Sequence, residues 1–386
     1  MVRFRRERAK GSEITGEIFF KRTLTSMKVY KVGGASVRTA EGVRNLAGII
    51  RDEKDRIFII VSAMGKTTNA LELVLEDFYN GDTDGALNRL GEVADYHNAI
   101  VTELWGRQVL PERLSRFYEE LSDVVGTRNP ASRDYEVWYD RIVSYGELLS
   151  TTIISEYLSK EGIRNEWIDM RQVFITSSRY RDANIDIERS TPLLLDAVAS
   201  SDAPVFIGQG FIGATENGAP TTIGREGSDY SAAVAAYILD AGSVAIWKDV
   251  EGILNGDPKI FDNVSLIPEL TYLDAIELAY SGAQVIHPKT IKPLQNKGIP
   301  LHVKCFADKS LPGSVIKGEI EGSIDTPILI LKPRQVLMTI RPRDFSFVLE
   351  ERFPDIFSLL AEYNAKINCI QSSAVNLSKC KDLALI

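Results

Sequence analysis

Short apolar runs alternate with longer amphipathic stretches along most of this chain. Residues 29–32, 57–62, 204–208, 244–247 and 301–306 are compact runs rich in β-branched and aromatic side chains, which predicts buried strands. Residues 40–51, 228–239 and 273–279 carry apolar positions at helical spacing. Residues 69–160 read as helix for most of their length, including 71–75 and 114–125. Strands alternating with helices predict an α/β fold, a mostly parallel sheet sandwiched by helices. Ligands of such sheets bind beyond the carboxyl ends of the strands.

The periodicity breaks near 308–325, where Pro312, Gly313, Gly318 and Gly322 interrupt it. The expected organisation is a main domain over 27–310, a linker over 311–326 and a small α+β module over 327–386. In that module 335–340 and 366–373 read as strands and 354–363 as a helix. One further short strand follows, so the module is expected to be incomplete, with an open, unpaired edge. Lys379, Cys380 and Lys381 depart from the apolar alternation expected there. Residues 1–26 lack periodicity and are expected to form a disordered extension, with Met27 the natural start. Their basic residues, Arg3 to Lys10, are interrupted by Glu7 and followed by Glu13 and Glu17, which argues against a targeting peptide.

A length of 386 residues favours two domains over a single core. With 44% hydrophobic and 25% charged residues, the composition is that of a soluble globular protein. A net charge of −8 disfavours nucleic acid as a partner. Cys305, Cys369 and Cys380 are too widely spaced for a zinc pattern or a disulfide framework, as expected in a reducing cytoplasm. Three scattered histidines give no metal cluster, so no metal ligands are assigned. No apolar run reaches membrane-spanning length.

Two glycine-rich turns carry the candidate chemistry. Lys31-Val32-Gly33-Gly34-Ala35-Ser36 follows the first strand, and Gly224-Arg225-Glu226-Gly227-Ser228-Asp229 precedes a helix. Paired glycines let backbone N–H groups approach an anion, and a helix N-terminus adds free donors and a positive dipole end. A lysine in one turn and an arginine in the other suit two anionic ligands, as phosphoryl transfer from a nucleotide to a carboxylate requires. Neither turn is a Walker loop, and neither is a Gly-x-Gly-x-x-Gly dinucleotide fingerprint.

Further segments stand in order: Val61 to Asn69 (VSAMGKTTN), Ser144-Tyr145-Gly146-Glu147, Trp247 to Ile253 (WKDVEGI), Asp257-Pro258-Lys259 and Gly282 to Pro288 (GAQVIHP). Together with the glycine turns they resemble the aspartokinases, within the amino-acid kinase (carbamate kinase-like) fold, over residues 27 to about 306. The tail from about 327 resembles the start of an ACT regulatory module. The resemblance implies that ATP, with Mg2+ carried on its phosphates, phosphorylates the side chain of L-aspartate. It implies Lys31 and Asp229 as catalytic residues, and Thr68, Glu147, Arg225 and Ser228 as contacts of the amino acid. ATP would meet Lys31, Gly33, Gly34, Ser36, Lys248, Asp249, Leu254, Lys259, Gln284 and Val285. Ile367, Asn368 and Ser373 are placed where an amino-acid effector would bind, and a homodimer is expected if enough of the ACT region folds. Arg225 can hold a carboxylate with two parallel hydrogen bonds, and Glu147 suits an ammonium. Trp247 is expected to pack in the core, and Asp257-Pro258 is read as either a turn or a ligand contact.

The chain departs from the family pattern at Ala35, Glu226, Lys248 and Gln284, where Thr, Gly, Thr and Lys are usual. The shortened tail implies weakened feedback control and lower solubility. Two alternatives remain from the residues: another amino-acid kinase with a glutamate-type acceptor, and an ATP- and amino-acid-binding protein with impaired catalysis.

Overall fold

The computed structural model describes residues 27–106, 110–127, 134–283, 286–321, 326–333, 335–341, 353–363, 367–373 and 376–382. The segment 1–26 and the nucleotide-region residues Gln284 and Val285 lie outside the described residues.

An eight-stranded sheet runs through the main part in the order Glu269–Thr271, Ser314–Lys317, Leu301–Cys305, Ser243–Lys248, Lys28–Val32, Ile57–Val61, Val205–Gln209, Asn165–Ile168. Neighbours are parallel except Leu301–Cys305 with Ser314–Lys317. From Lys28–Val32 the chain moves to Ile57–Val61 on one side; only much later does Ser243–Lys248 fill the other side. The crevice at this change of direction, beyond the carboxyl ends, is where an open α/β sheet receives its ligand.

The period-two alternation sorts the strand residues into two layers. Tyr30, Val32, Ile59, Val61, Ile207 and Trp247 pack under the helices Ala40–Arg51, Thr67–Tyr79 and Tyr145–Lys160. Val29, Phe58, Ile60, Phe206, Val244 and Ile246 pack on the opposite face under Ile187–Ala199, Gly227–Leu239 and Pro288–Lys297. Each fully buried aliphatic or aromatic side chain stabilises the fold by roughly 1.5–3 kcal/mol. Gly227–Leu239 is buried nearly all round, and Ala232, Ala233, Ala235 and Ala236 let it lie close to the sheet. Lys31 shares the face of Val29, so the alternation alone sends its side chain beneath this helix.

The segment 311–326, expected to be a linker, contains the sheet strand Ser314–Lys317. The main sheet therefore runs past residue 310. Four residues between Gly313 and Gly318 are too few to show a pattern, yet Ser314 and Ile316 face inward. In the C-terminal part, Gln335–Ile340, Asn376–Asp382 and Ile367–Ser373 form an antiparallel sheet in that spatial order, with the helix Phe353–Glu362 between its first two strands in sequence. Residues 379–381 lie within a paired strand despite their polar character, because ladder hydrogen bonds are made by the backbone.

Candidate active site

The first glycine turn is built by close backbone contact. Ser36 N donates to Gly33 O at 3.0 Å, and Gly65 N donates to Gly34 O at 2.9 Å. A Cβ on Gly34 would stand 2.0 Å from Ala63 O, an overlap that only glycine avoids. Gly34→Ala is accordingly expected to push the two strand-end loops apart and to cost about 3 kcal/mol, measurable by urea unfolding. A melting curve identical to that of the native protein would show that the loops are not so tightly joined.

Lys31 Nζ lies 2.7 Å from Asp229 Oδ1, and Asp229 is only 2% exposed. The contact is an ion pair rather than a well-directed hydrogen bond. Asp229 and Ser228 sit in the first turn of Gly227–Leu239, where the helix dipole favours negative charge. Gly210 makes room for this turn, since a Cβ there would stand 2.5 Å from Ser228 Oγ. Glu226, at the helix N-cap, takes a left-handed backbone with φ 57°, the conformation for which glycine is the natural choice.

Glu147 reaches the same crevice from the opposite layer, in the first turn of Tyr145–Lys160. Its Oε1 accepts from Ala63 N at 3.1 Å, while the buried Oε2 has no partner. Burial pushes the Glu147 carboxyl up to about 8. Ser150, one turn on, donates to Ser62 O and ties the helix to the strand end.

These pieces enclose a cavity of about 470 Å³. Lys31, Thr68, Glu147, Arg225, Ser228 and Asp229, the six residues assigned to catalysis and the amino acid, all line it. Among the described residues Arg225 has no ion-pair partner, and it is exposed to the cavity. Sequence reasoning missed Tyr139, Arg181 and Phe211, which line the same cavity, and the fully buried Asp140 behind them. None belongs to a recognisable motif. Asp140 accepts from Thr222 N at 2.8 Å and from Arg181 N at 3.1 Å, and burial raises its carboxyl to about 6.

The residues assigned to ATP occupy adjoining ground. Lys248 ends the strand next to Lys28–Val32, whose Val32 is in register with Trp247, and Asp249 follows it directly. That places them beside Gly33, Gly34 and Ser36 at one sheet edge. Leu254 lies in a two-stranded ladder with Leu266–Ile267, and Lys259 is exposed. Asp257 forms a turn, accepting from Lys259 N at 2.9 Å through its side chain and from Ile260 N and Phe261 N through its carbonyl. Trp247 is core packing, 5% exposed and edge-on to Tyr30 at 5.7 Å.

In the small sheet Asn368 Oδ1 accepts from Lys332 Nζ at 3.1 Å, and its Nδ2 donates to Gln335 Oε1 at 2.7 Å. Ile367 is its half-buried neighbour, whereas Ser373 ends the strand. The two ends stand about 20 Å apart along an extended strand, further than one amino acid spans.

The amino acid kinase family model matches residues 26–305. Lysine-sensitive aspartokinase 3 of Escherichia coli is 30% identical over 362 residues, covering 93% of this chain and 79% of that protein. Aspartokinase 1 of Arabidopsis thaliana chloroplasts is 31% identical over 92% of this chain and 63% of that protein. The bifunctional aspartokinase/homoserine dehydrogenase 1 of Zea mays is 32% identical, but this chain spans only 32% of it. In three dimensions the chain resembles the crystal structure of E. coli aspartokinase III in complex with aspartate and ADP. The TM-score is 0.75 at 29% identity, over 93% of this chain and 79% of that one. The same enzyme with lysine and aspartate gives 0.76.

Proposed function

This chain belongs to the amino acid kinase family, among the aspartokinases, and we propose on that footing that it transfers the γ-phosphoryl group of ATP to the side-chain carboxylate of L-aspartate. The product is 4-phospho-L-aspartate. The observation that carries the reading is the single cavity in which Lys31, Arg225, Glu147 and Asp229 meet. Two anions must be brought into bonding range there, and fixed charges do that work better than mobile water.

In this reading Arg225, unpaired and open to the cavity, takes the α-carboxylate. Glu147 takes the ammonium with its unused Oε2, and Thr68 and Ser228 add hydroxyl contacts. Lys31 lies between the attacking carboxylate and the transferring phosphoryl group, held in line by Asp229. Gly33, Gly34 and Ser36 face the phosphates, and Lys248, Asp249, Leu254 and Lys259 lie on the nucleotide's side. Magnesium would neutralise charge on the triphosphate. Such an ion would be held mainly by phosphate oxygens and water. The small C-terminal sheet is the proposed seat of an amino-acid effector, with Ile367 and Asn368 its contacts, and of a homodimer contact. No helix among the described residues is long and apolar enough to cross a membrane, and a cytoplasmic setting is proposed.

A hydroxamate assay with ATP tests the reaction: trapped acyl phosphate is expected with L-aspartate. Signal with glutamate alone would move the enzyme to another acceptor, and ATP binding without turnover of either would make it a binding protein.

A further inference from the structure

Four residues other than glycine adopt left-handed backbone among the described residues: Arg181, Phe211, Glu226 and Asp240. All but Asp240 line the acceptor cavity. Such backbone is costly for a residue with a Cβ and persists only where its surroundings impose it. At Arg181 the constraint is explicit. Asp140, with no exposure, accepts from Arg181 N with both oxygens, at 3.2 and 3.1 Å. The same carboxylate accepts from Thr222 N and Thr222 Oγ1, at 2.8 and 2.6 Å. One buried group thus fixes both the Arg181 turn and the strand that leads into Gly224-Arg225. The two turns touch: a Cβ on Gly224 would stand 3.0 Å from Arg181 O.

The Arg181 guanidinium lies 4.4 Å above the ring of Tyr139, which also lines the cavity, and its Nη1 is 3.0 Å from Glu136 Oε1. That ion pair is solvent-exposed and therefore weak, and it occupies one of five N–H donors. A compensating charge is useful here, because Glu226 places a carboxylate on the same cavity beside Arg225.

We propose that Arg181 is a specificity-determining residue of the acceptor pocket, forming with Arg225 a two-guanidinium clamp on the α-carboxylate of the amino acid, and that Asp140 is the positioning residue that sets it there. The inference rests on the chain's being a kinase of amino-acid carboxylates. Lys31 and Asp229 serve the transferring end. The contact between the Arg181 and Gly224-Arg225 turns assigns Arg181 to the other end.

Arg181→Gly tests this without backbone penalty, since glycine accepts the left-handed conformation freely. KM and kcat would be measured for L-aspartate and for L-aspartate α-amide, which lacks the α-carboxylate charge. Where the amide is not turned over, its inhibition constant against L-aspartate replaces KM. Loss of one charge-assisted contact should raise KM for L-aspartate about ten- to fifty-fold with kcat nearly unchanged. The constant for the amide should move less than about twofold, since a neutral amide forgoes the charge-assisted part. An unchanged KM for L-aspartate, or equal losses on both compounds, overturns the clamp. If the native protein neither turns over L-aspartate nor binds it by calorimetry, the functional reading fails and takes the clamp with it. Native turnover combined with indifference to Arg181 removes the clamp alone.

Discussion

Lys31→Ala is expected to lower kcat by about 10²–10³-fold, the usual cost of removing one preorganised group from a developing charge. It should also destabilise the protein. Asp229 is 2% exposed and has Lys31 as its ion-pair partner at 2.7 Å, so truncation leaves a buried carboxylate without compensation. Breaking such a pair from one side costs roughly 3 kcal/mol, somewhat less here because the helix dipole supports Asp229. The double variant with Asp229→Asn should recover most of that stability and none of the turnover. Urea unfolding and steady-state kinetics on the three proteins separate the two effects. Undiminished kcat in Lys31→Ala, or turnover restored by the second change, would place the chemistry elsewhere.

Glu147→Gln is expected to weaken amino-acid binding by about 2 kcal/mol, or thirty-fold, and to abolish its dependence on pH. In the free protein burial holds this carboxyl at about 8 against an ordinary value of 4.5. Below 4.5 the native and unfolded chains are both protonated, and the group adds no pH dependence to stability. Between 4.5 and 8 the unfolded chain gives up its proton while the native one keeps it. Stability therefore falls by up to about 1.4 kcal/mol per pH unit and levels off above 8. Glutamine keeps the acceptor for Ala63 N and cannot ionise, so the variant should be the more stable protein at pH 8 and above. An ammonium ligand needs the carboxylate and must expel that proton. Native affinity for L-aspartate should accordingly rise from pH 6 to about 8. Calorimetric affinities that stay flat over this range, or a glutamine variant that binds equally well, would remove Glu147 from the ammonium site.

The strands of the main sheet and most of its helices were legible because their apolar periods are long and clean: the helix Ala40–Arg51 coincides with its sequence-predicted bounds. Two helices of the opposite layer were not read. Ile187–Ala199 and Pro288–Lys297 each contain an internal proline, Pro192 and Pro293, which breaks the pattern before burial of one face restores it. Strands of two to four residues, such as Glu269–Thr271 and Ser314–Lys317, are too short to show alternation at all. At the site, ordered motifs pointed to the residues assigned to catalysis and the amino acid, and those residues converge on one cavity. What escaped was the scaffold behind them. Asp140 and Arg181 stand 41 positions apart and in no motif, and only the folded chain brings the carboxylate to the backbone it holds. Glu226 was visible as a departure from glycine; its left-handed backbone shows why glycine would be the easier residue there.

In the small C-terminal sheet the middle strand, Asn376–Asp382, is the last of the three to be translated. A nascent polypeptide that has emerged only as far as residue 373 owns two ribbons with no backbone ladder between them, tied by the side-chain bond from Asn368 to Gln335. The kinase body can mature while those ribbons wait. A pause or a proteolytic cut before residue 376 would leave a catalytically equipped particle bearing two hungry edges, ready to recruit the missing strand from another copy.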